Sequence, residues 1–329
     1  MNETVVRPDP RVSIVIPVFN EQEVLPLLLP RVRAVMDALP GGAEVWFVDD
    51  GSKDATAKMI EQAHAEDPRI KLLQFSRNFG HPAAITAGLD AAKGDAVVLM
   101  DADLQDPPEL IPDMVALYRR GYDVVQARRE SRDKETLFKK VTAWAFYRIM
   151  GRLTKNGMEA NVGEFRLMSQ AVVAALGQLR ERHRLVRGLV SWVGFPHTTI
   201  GFVRPGRAAG ETKYPLIKML RLSFDGLTSF SAAPLRVASI IGGCGLLAGF
   251  AYAAYAVYVR FVLGHAVPGW TSLVIINVFF SSIVLLCLGL VGEYVGRIFE
   301  EVKRRPLYLV QRKLDGDAPA SAGAGQEQH

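Results

Sequence analysis

Between Val237 and Gly292 this chain carries a single charged side chain, Arg260. With 22% of the whole chain charged, a window of that length would ordinarily hold about a dozen. On either side of Arg260 lie uncharged runs of 23 residues, Val237 to Val259, and of 27 residues, Ala266 to Gly292. At a rise of ~1.5 Å per helical residue each run is longer than the ~30 Å hydrocarbon core of a bilayer. The spacing predicts two transmembrane helices, residues 236–262 and 267–292, and excludes a purely soluble protein. A pair of buried helices in a soluble core is the competing reading, and it is disfavoured because two adjacent runs of this length are rare there.

Charge also predicts which side the chain lies on. Lys218, Arg221 and Arg236 precede the first run and Lys303, Arg304 and Arg305 follow the second, whereas the link from Arg260 to Pro268 has one basic residue. The positive-inside bias therefore predicts a multi-pass protein of the inner (cytoplasmic) membrane with both termini in the cytoplasm. The first ten residues, MNETVVRPDP, carry acids and prolines and no apolar stretch, so no signal peptide is expected. Cys244 and Cys287 both fall inside the spans, which leaves no disulfide framework and no zinc site to expect.

From Val12 to about Ala127, short apolar runs alternate with longer helical patterns, the signature of βαβ units around a parallel sheet. The predicted strands are Val12–Val18, Glu44–Asp50, Ile70–Phe75, Asp95–Asp101 and Asp123–Ala127, with helices beginning near Glu21, Asp54, Pro82 and Pro108. Their near-continuous apolar character fits strands buried on both faces, and ligands bind such sheets at the carboxyl ends of the strands. Two basic amphipathic stretches, Leu137–Leu153 and Tyr214–Phe230, are expected to meet anionic headgroups at the membrane surface. The chain divides accordingly into a domain over residues 1–212, a juxtamembrane segment over 213–235, the two spans, and a tail over 293–329 expected to end in disorder.

Two acidic clusters close two strands: Asp49, Asp50 and Asp54 after one, Asp101, Asp103 and Asp106 after the other. A parallel sheet brings both to one edge. Paired carboxylates there suit Mg2+ or Mn2+, which in turn neutralises a diphosphate. An isolated Asp-x-Asp is as readily a turn, and Asp54 or Asp106 is expected to cap the helix that follows it.

Taken together, IPVFNE (Ile16–Glu21), VDDGS (Val48–Ser52), SRNFGH (Ser76–His81), DADLQDPPE (Asp101–Glu109) and GETKY (Gly210–Tyr214) resemble the GT-A glycosyltransferases of family 2. The resemblance covers roughly residues 10–310 and is nearest to the branch that moves a sugar onto a polyprenyl phosphate: dolichyl-phosphate mannose synthases and bactoprenol glucosyltransferases. It implies an α/β fold: a GT-A, Rossmann-like, mostly parallel sheet in the cytoplasm, with amphipathic interface helices and two C-terminal transmembrane helices. It also implies an inverting displacement at the anomeric carbon. Pro17, Glu21 and Asp50 match positions that hold the base and ribose of the donor, and Arg77 lies in a loop over it. Asp101 matches the first carboxylate near the ribose and the metal-bound diphosphate, and Asp103 and Gln105 match the metal ligands.

The acceptor in this branch is a phosphate, and with a second pKa of ~6 it is largely deprotonated at neutral pH. It hardly needs a general base. It needs cations to hold it in line with the sugar, and Arg128, Arg129, Arg204, Arg207 and Lys213, with Tyr214, are the candidates. Lys213 and Tyr214, inside GETKY, are favoured over Arg128. Where bactoprenol glucosyltransferases usually read Asp-Thr-Gly-Asp-Phe-Arg-Leu, this chain has NVGEFRL, Asn161–Leu167. Glu164 thus stands at the position of the usual candidate base, and the expectation is that it orients groups near the sugar, with Arg166 either pairing with it or capping a helix. The catalytic set is then Asp103, Glu164 and Lys213.

His81 is expected to be a capping or surface histidine, and Trp192, in RLVRGLVSWVG with Arg187, a core side chain. The expected partners are a nucleotide-sugar donor, UDP-glucose by default, the phosphate of undecaprenyl or another polyprenyl phosphate, and membrane lipids. Mannose, N-acetylglucosamine, galacturonate and amino-arabinose remain open as alternatives to glucose. No nucleic acid is expected, and the resemblance allows a homo-oligomer. A non-catalytic membrane-tethered nucleotide-binding protein is disfavoured because Asp101, Asp103 and Gln105 are all present. A processive synthase would need a Gln-x-x-Arg-Trp motif, and an NTPase a Gly-x-x-x-x-Gly-Lys-Ser/Thr loop; the chain has neither.

Overall fold

A computed structural model describes residues 6–129, 162–182, 184, 186–203, 233–262 and 269–316. The chain divides into two units, one of residues 1–213 and 305–329, the other of residues 214–304. Both amphipathic stretches, Leu137–Leu153 and Tyr214–Phe230, lie outside the described residues, as do Arg204, Arg207, Lys213 and Tyr214.

The first unit is built on an eight-stranded sheet: β1 (Val12–Val18), β2 (Ala43–Asp49), β3 (Ile70–Phe75), β4 (Ala96–Leu99), β5 (Val124–Arg129), β6 (Val162–Ser169), β7 (His197–Phe202) and β8 (Val310–Leu314). Their spatial order is β7-β5-β6-β4-β1-β2-β3-β8. β6 and β8 run antiparallel to their neighbours, and the rest of the sheet is parallel. Helices α1 (Leu25–Ala38), α2 (Thr56–Glu66), α3 (His81–Ala91), α4 (Ile111–Arg119), α5 (Gln170–Gln178) and α6 (Val186–Trp192) complete it. Every residue of β1 and β2 is buried, as strands covered on both faces require. Ile14, Ile16, Val45 and Phe47 meet Leu28, Val32, Ile60 and Met114 in one apolar core.

Chain order turns at β1, because β2 and β3 lie to one side of it and β4 to the other. Such a reversal opens a crevice at the carboxyl ends of the strands. Pro17 deepens it. The β1 ladder reaches Val18 opposite Asp49 on the β2 side, but stops at Val15 opposite Leu99 on the β4 side. A proline has no N–H to give the ladder, so the sheet parts where β1 and β4 end.

Several boundaries depart from the sequence reading. Residues 21–24 form a turn, with the amides of Val24 and Leu25 both bonded to the Glu21 carbonyl, and α1 starts at Leu25 with a proline in its first turn. Trp192 is 66% exposed, so it is no core side chain; it ends a seven-residue helix whose buried positions are Val186, Gly188, Leu189 and Val190. The segment 305–316, read from sequence as the start of a tail, supplies β8 along the β3 edge.

The second unit contains α7 (Ala233–Phe261) and α8 (Trp270–Val302). Ala238–Val259 and Ile275–Val302 are long and apolar enough to cross a bilayer, and none of either apolar window is buried in protein. Within the unit, a Cβ on Gly245 would come 2.9 Å from the Phe280 ring, the close approach that small residues permit between apolar helices. Side chains such as Leu247 and Leu286, exposed on both helices without protein cover, associate this unit with a membrane.

Candidate active site

Every described candidate sits at the carboxyl edge of the sheet. Glu21 follows β1, Asp50 follows β2, Arg77 and His81 follow β3, Asp101, Asp103 and Gln105 follow β4, and Arg128 and Arg129 end β5. Glu164 joins them because β6 runs the other way, which brings its first residues to this edge.

The loops after β1 and β2 are laced together. The Asn20 amide donates to Ser52 Oγ at 2.9 Å, the Glu21 amide to Thr56 Oγ1 at 2.8 Å, and the Lys53 amide to Asn20 Oδ1 at 2.9 Å. Asp54 Oδ1 accepts from the Thr56 amide at 3.0 Å, a local turn just before the helix; the N-cap itself is Ala55, so Asp54 is not the cap expected of it. Asp50, only 4% exposed, accepts from the amides of Phe79 at 2.6 Å and Gly80 at 2.9 Å. Both its oxygens therefore hold the loop after β3, a role the sequence reading did not foresee beside the donor-binding one expected of it. Burial raises the Asp50 pKa, and those two amides oppose the rise.

After β4, Leu104 turns through a left-handed conformation, φ 60°, that a leucine rarely adopts. The turn sets Gln105 back on Asp103, whose Oδ1 accepts from the Gln105 amide at 3.1 Å. Asp106 does not cap a helix. It is 2% exposed and its Oδ2 accepts from the Asp101 amide at 3.2 Å. Burial, then the charge of Asp101, push the Asp106 pKa up to about 6.

The acids at this edge act on one another's protonation. The Asp101 pKa is raised by burial and by the charges of Asp103 and Glu164, against the lowering effect of His81 and Arg129. That of Glu21 is raised by burial, then by Asp103, Asp54 and Asp101. Carboxylates from the loops after β1 and β4 and from β6 thus influence one another across this edge of the sheet. Opposite them, His81 Nε2 lies 3.4 Å from Asp101 Oδ1, which makes this histidine part of the site. A signal for it existed in the sequence: β3 and β4 are both parallel strands, so a histidine opening the helix after β3 shares an edge with Asp101.

Arg166, 1% exposed, donates from Nη2 to the Gly163 carbonyl at 2.7 Å and to Glu164 Oε2 at 3.1 Å. Of the two roles open to it, pairing with Glu164 is the one observed. Arg129 Nε and Arg187 Nε are buried without a hydrogen-bond partner, whereas Arg128 is exposed. Arg77 stands over the Phe79 ring, its guanidinium carbon 4.0 Å from the centroid.

A divalent cation fits this donor set. Asp101 and Asp103 offer hard oxygens, and the buried Gln105 Oε1 has no hydrogen-bond partner. Among the described residues no three His, Cys, Asp or Glu side chains stand ready-made as a cage. A partial set of one or two carboxylates suits an ion whose remaining ligands are water and substrate phosphates.

Comparison with known proteins bears on the same residues. The profile of glycosyl transferase family 2 matches residues 13–177, which run from the second residue of β1 through β6 and hold all the acids above. The uncharacterized glycosyltransferase YkcC of Bacillus subtilis is 49% identical over 91% of this chain and 93% of its own. The bactoprenol glucosyl transferase of Shigella phage SfII is 40% identical over 93% of this chain and 99% of its own. Among solved structures, mannosyl-3-phosphoglycerate synthase from Rubrobacter xylanophilus aligns with a TM-score of 0.46 at 18% identity, over 69% of this chain and 74% of that one. An acid-lined crevice at the β1/β4 parting, a family profile spanning it, and relatives alike over nine-tenths of the chain lead to one conclusion: this protein is a glycosyltransferase and belongs to glycosyl transferase family 2.

Proposed function

We propose that this enzyme transfers glucose from a nucleotide-sugar, UDP-glucose, to the phosphate of undecaprenyl or a similar polyprenyl phosphate at the cytoplasmic face of the membrane. The observation that carries the reading is the convergence of Glu21, Asp101, Asp103 and Glu164 with Arg129 at one crevice, in a chain that also holds two bare apolar helices. The bactoprenol glucosyl transferases to which it is similar over nearly their whole length support both the sugar and the acceptor.

An oxygen of the acceptor phosphate forms the new bond to the anomeric carbon, the bond from that carbon to the nucleoside diphosphate breaks, and the configuration inverts. No proton has to be removed, since the phosphate is already ionised. Mg2+ or Mn2+ held by Asp101, Asp103 and Gln105 would supply charge neutralisation to the departing diphosphate. Glu21 and Asp50 with Pro17 form the floor for base and ribose, Asp50 through the loop it holds. Arg77 closes over the donor. Arg129, with Arg128 and with Arg204, Arg207, Lys213 and Tyr214 from outside the described residues, would draw the acceptor phosphate in. Arg166 fixes Glu164 beside the reacting sugar, in keeping with an orienting carboxylate. In this reading α7 and α8 each cross the bilayer, both termini are cytoplasmic, and residues 1–212 with the returning strand β8 make the catalytic domain.

The test incubates membranes containing the protein with undecaprenyl phosphate, a divalent metal and a panel of radiolabelled sugar nucleotides. Labelling of lipid from UDP-glucose, abolished in Asp103→Ala, is the expected result. No lipid labelled from any donor, with Asp103→Ala indistinguishable from wild type, would sink it.

A further inference from the structure

Residues 305–316 follow α8 and run back along β3. The Arg305 carbonyl accepts from Arg182 Nη1 at 3.4 Å, and β8 then pairs with β3 from Phe75 opposite Val310 to Leu72 opposite Leu314. Covering an exposed sheet edge needs only that ladder. The contacts go further. The Ser76 amide donates to the Leu309 carbonyl at 3.1 Å, past the irregularity in the ladder at Gln74 and Phe75. Tyr308 stacks on Phe75, ring centroids 5.2 Å apart and planes within 12°. Its hydroxyl donates to Asp90 Oδ2 at 2.8 Å, a carboxylate that Arg180 already grips with bonds of 2.7 and 3.0 Å. Burial and the Asp90 charge raise the Tyr308 pKa, so the phenol keeps the proton it donates.

Phe75 in turn meets Phe79 edge-on at 5.7 Å, and Phe79 carries Arg77 on its face. The three rings thus run from the returning strap to the loop after β3, whose residues 76–78 are exposed on their outer side while the loop after β2 abuts the Arg77–Asn78 backbone. The far end of that loop is the pair of amides that Asp50 holds.

We infer that Tyr308 is a positioning residue for the donor: through Phe75 and Phe79 it holds the 76–80 loop and Arg77 in the conformation observed, from which they would grip a nucleotide-sugar. This rests on the transferase reading. A loop ordered before the donor arrives spares binding the cost of ordering it, so the effect belongs in donor affinity more than in the chemical step.

The test uses the full-length protein in membranes or detergent and compares Tyr308→Ala, which removes ring and hydroxyl, with Tyr308→Phe, which keeps the ring. Hydrogen exchange at the Phe79 and Gly80 amides is followed together with steady-state kinetics. Tyr308→Ala is expected to speed that exchange and to raise the donor KM about five- to tenfold with kcat within about twofold, the range one aromatic pair supports. Tyr308→Phe should restore both. Should Tyr308→Ala not accumulate, Tyr308→Leu takes its place, keeping apolar bulk without a flat face. A lowered Tm with unchanged loop exchange and unchanged donor KM would overturn the inference, as would equal loss in the Phe and Ala variants. If the wild type turns over no sugar nucleotide, the transferase reading fails, and the exchange rates at Phe79 and Gly80 still decide the role of Tyr308.

Discussion

Arg166 and Glu164 are two residues apart on β6, and one guanidinium nitrogen, Nη2 of Arg166, reaches both the Glu164 carboxylate at 3.1 Å and the Gly163 carbonyl at 2.7 Å. A carboxylate gripped by a buried arginine is fixed in place, which suits a group that orients the reacting sugar. Glu164→Gln is therefore expected to cost less turnover than Asp103→Ala, which removes one of the proposed metal ligands. Losses of about tenfold and about a thousandfold respectively are expected from lipid-labelling rates. A greater loss for Glu164→Gln would make it a true base.

Chelation is expected to reduce transfer to a few per cent or less, with recovery on adding Mg2+ or Mn2+. Gln105 offers a sharper measurement, because its Oε1 is buried and unpartnered. Gln105→Ala should raise the metal concentration for half-maximal activity roughly tenfold, the scale on which metal sites respond to a weakened ligand shell. Metal titrations that coincide for variant and wild type would remove Gln105 from the site.

Gly51 lies where the loop after β2 presses on the loop after β3. Its φ is +73°, and a Cβ there would come within 2.6 Å of the Arg77 carbonyl carbon and 2.8 Å of the Asn78 amide nitrogen. Both atoms are backbone and neither can swing aside. Gly51→Ala is expected to lower stability by about 1–3 kcal/mol and to raise the donor KM, since the loop must move to admit the methyl group. Thermal unfolding and donor kinetics check it together.

The apolar, doubly covered strands were legible in the sequence: β1 and β3 have the expected bounds to the residue, and β2 and β5 differ by a residue or two. β6, β7 and β8 were not seen. VQRKL at β8 lies on the outer edge with Val310, Gln311, Arg312 and Lys313 exposed, so no apolar run marks it. β6 begins with the half-exposed Val162, Gly163 and Glu164, which lie at the open carboxyl edge of the sheet, so no apolar run marks its start. The acidic motifs were legible by resemblance, and the structure brings Glu21, Asp101, Asp103 and Glu164 together. His81 and Asp106 escaped because their roles depend on which loop faces which. A histidine before Pro82 and an aspartate before Pro107 look like ordinary helix starts until the strand order is known.

Far from the crevice, Glu44 makes a prediction about pH. It is 3% exposed and accepts from Ser13 Oγ at 2.8 Å, Trp46 Nε1 at 3.2 Å and Arg11 Nη2 at 2.8 Å, with Lys71 Nζ 3.2 Å away. Burial alone would raise its pKa, but these bonds and the Lys71 charge bring it below its ordinary 4.5. A depressed carboxylate stabilises the fold above its unfolded pKa, and that contribution is lost as pH falls through the folded value. Glu44→Gln should destabilise by about 1–3 kcal/mol at neutral pH. The gap from wild type in thermal unfolding should narrow as the medium is acidified below 4.5. A gap that stayed constant would mean the charge contributes nothing.

Lys71 and Asp315, which pair across the β3 edge, are 244 residues apart in the chain. Everything between them, both apolar helices included, must leave the ribosome before β8 exists to dock. Throughout synthesis the nascent catalytic sheet therefore has an open side at β3, with main-chain groups ready to accept any passing strand. The last turn of assembly comes after the membrane segments have been made, and until then the young protein depends on whatever shields that side in the cell.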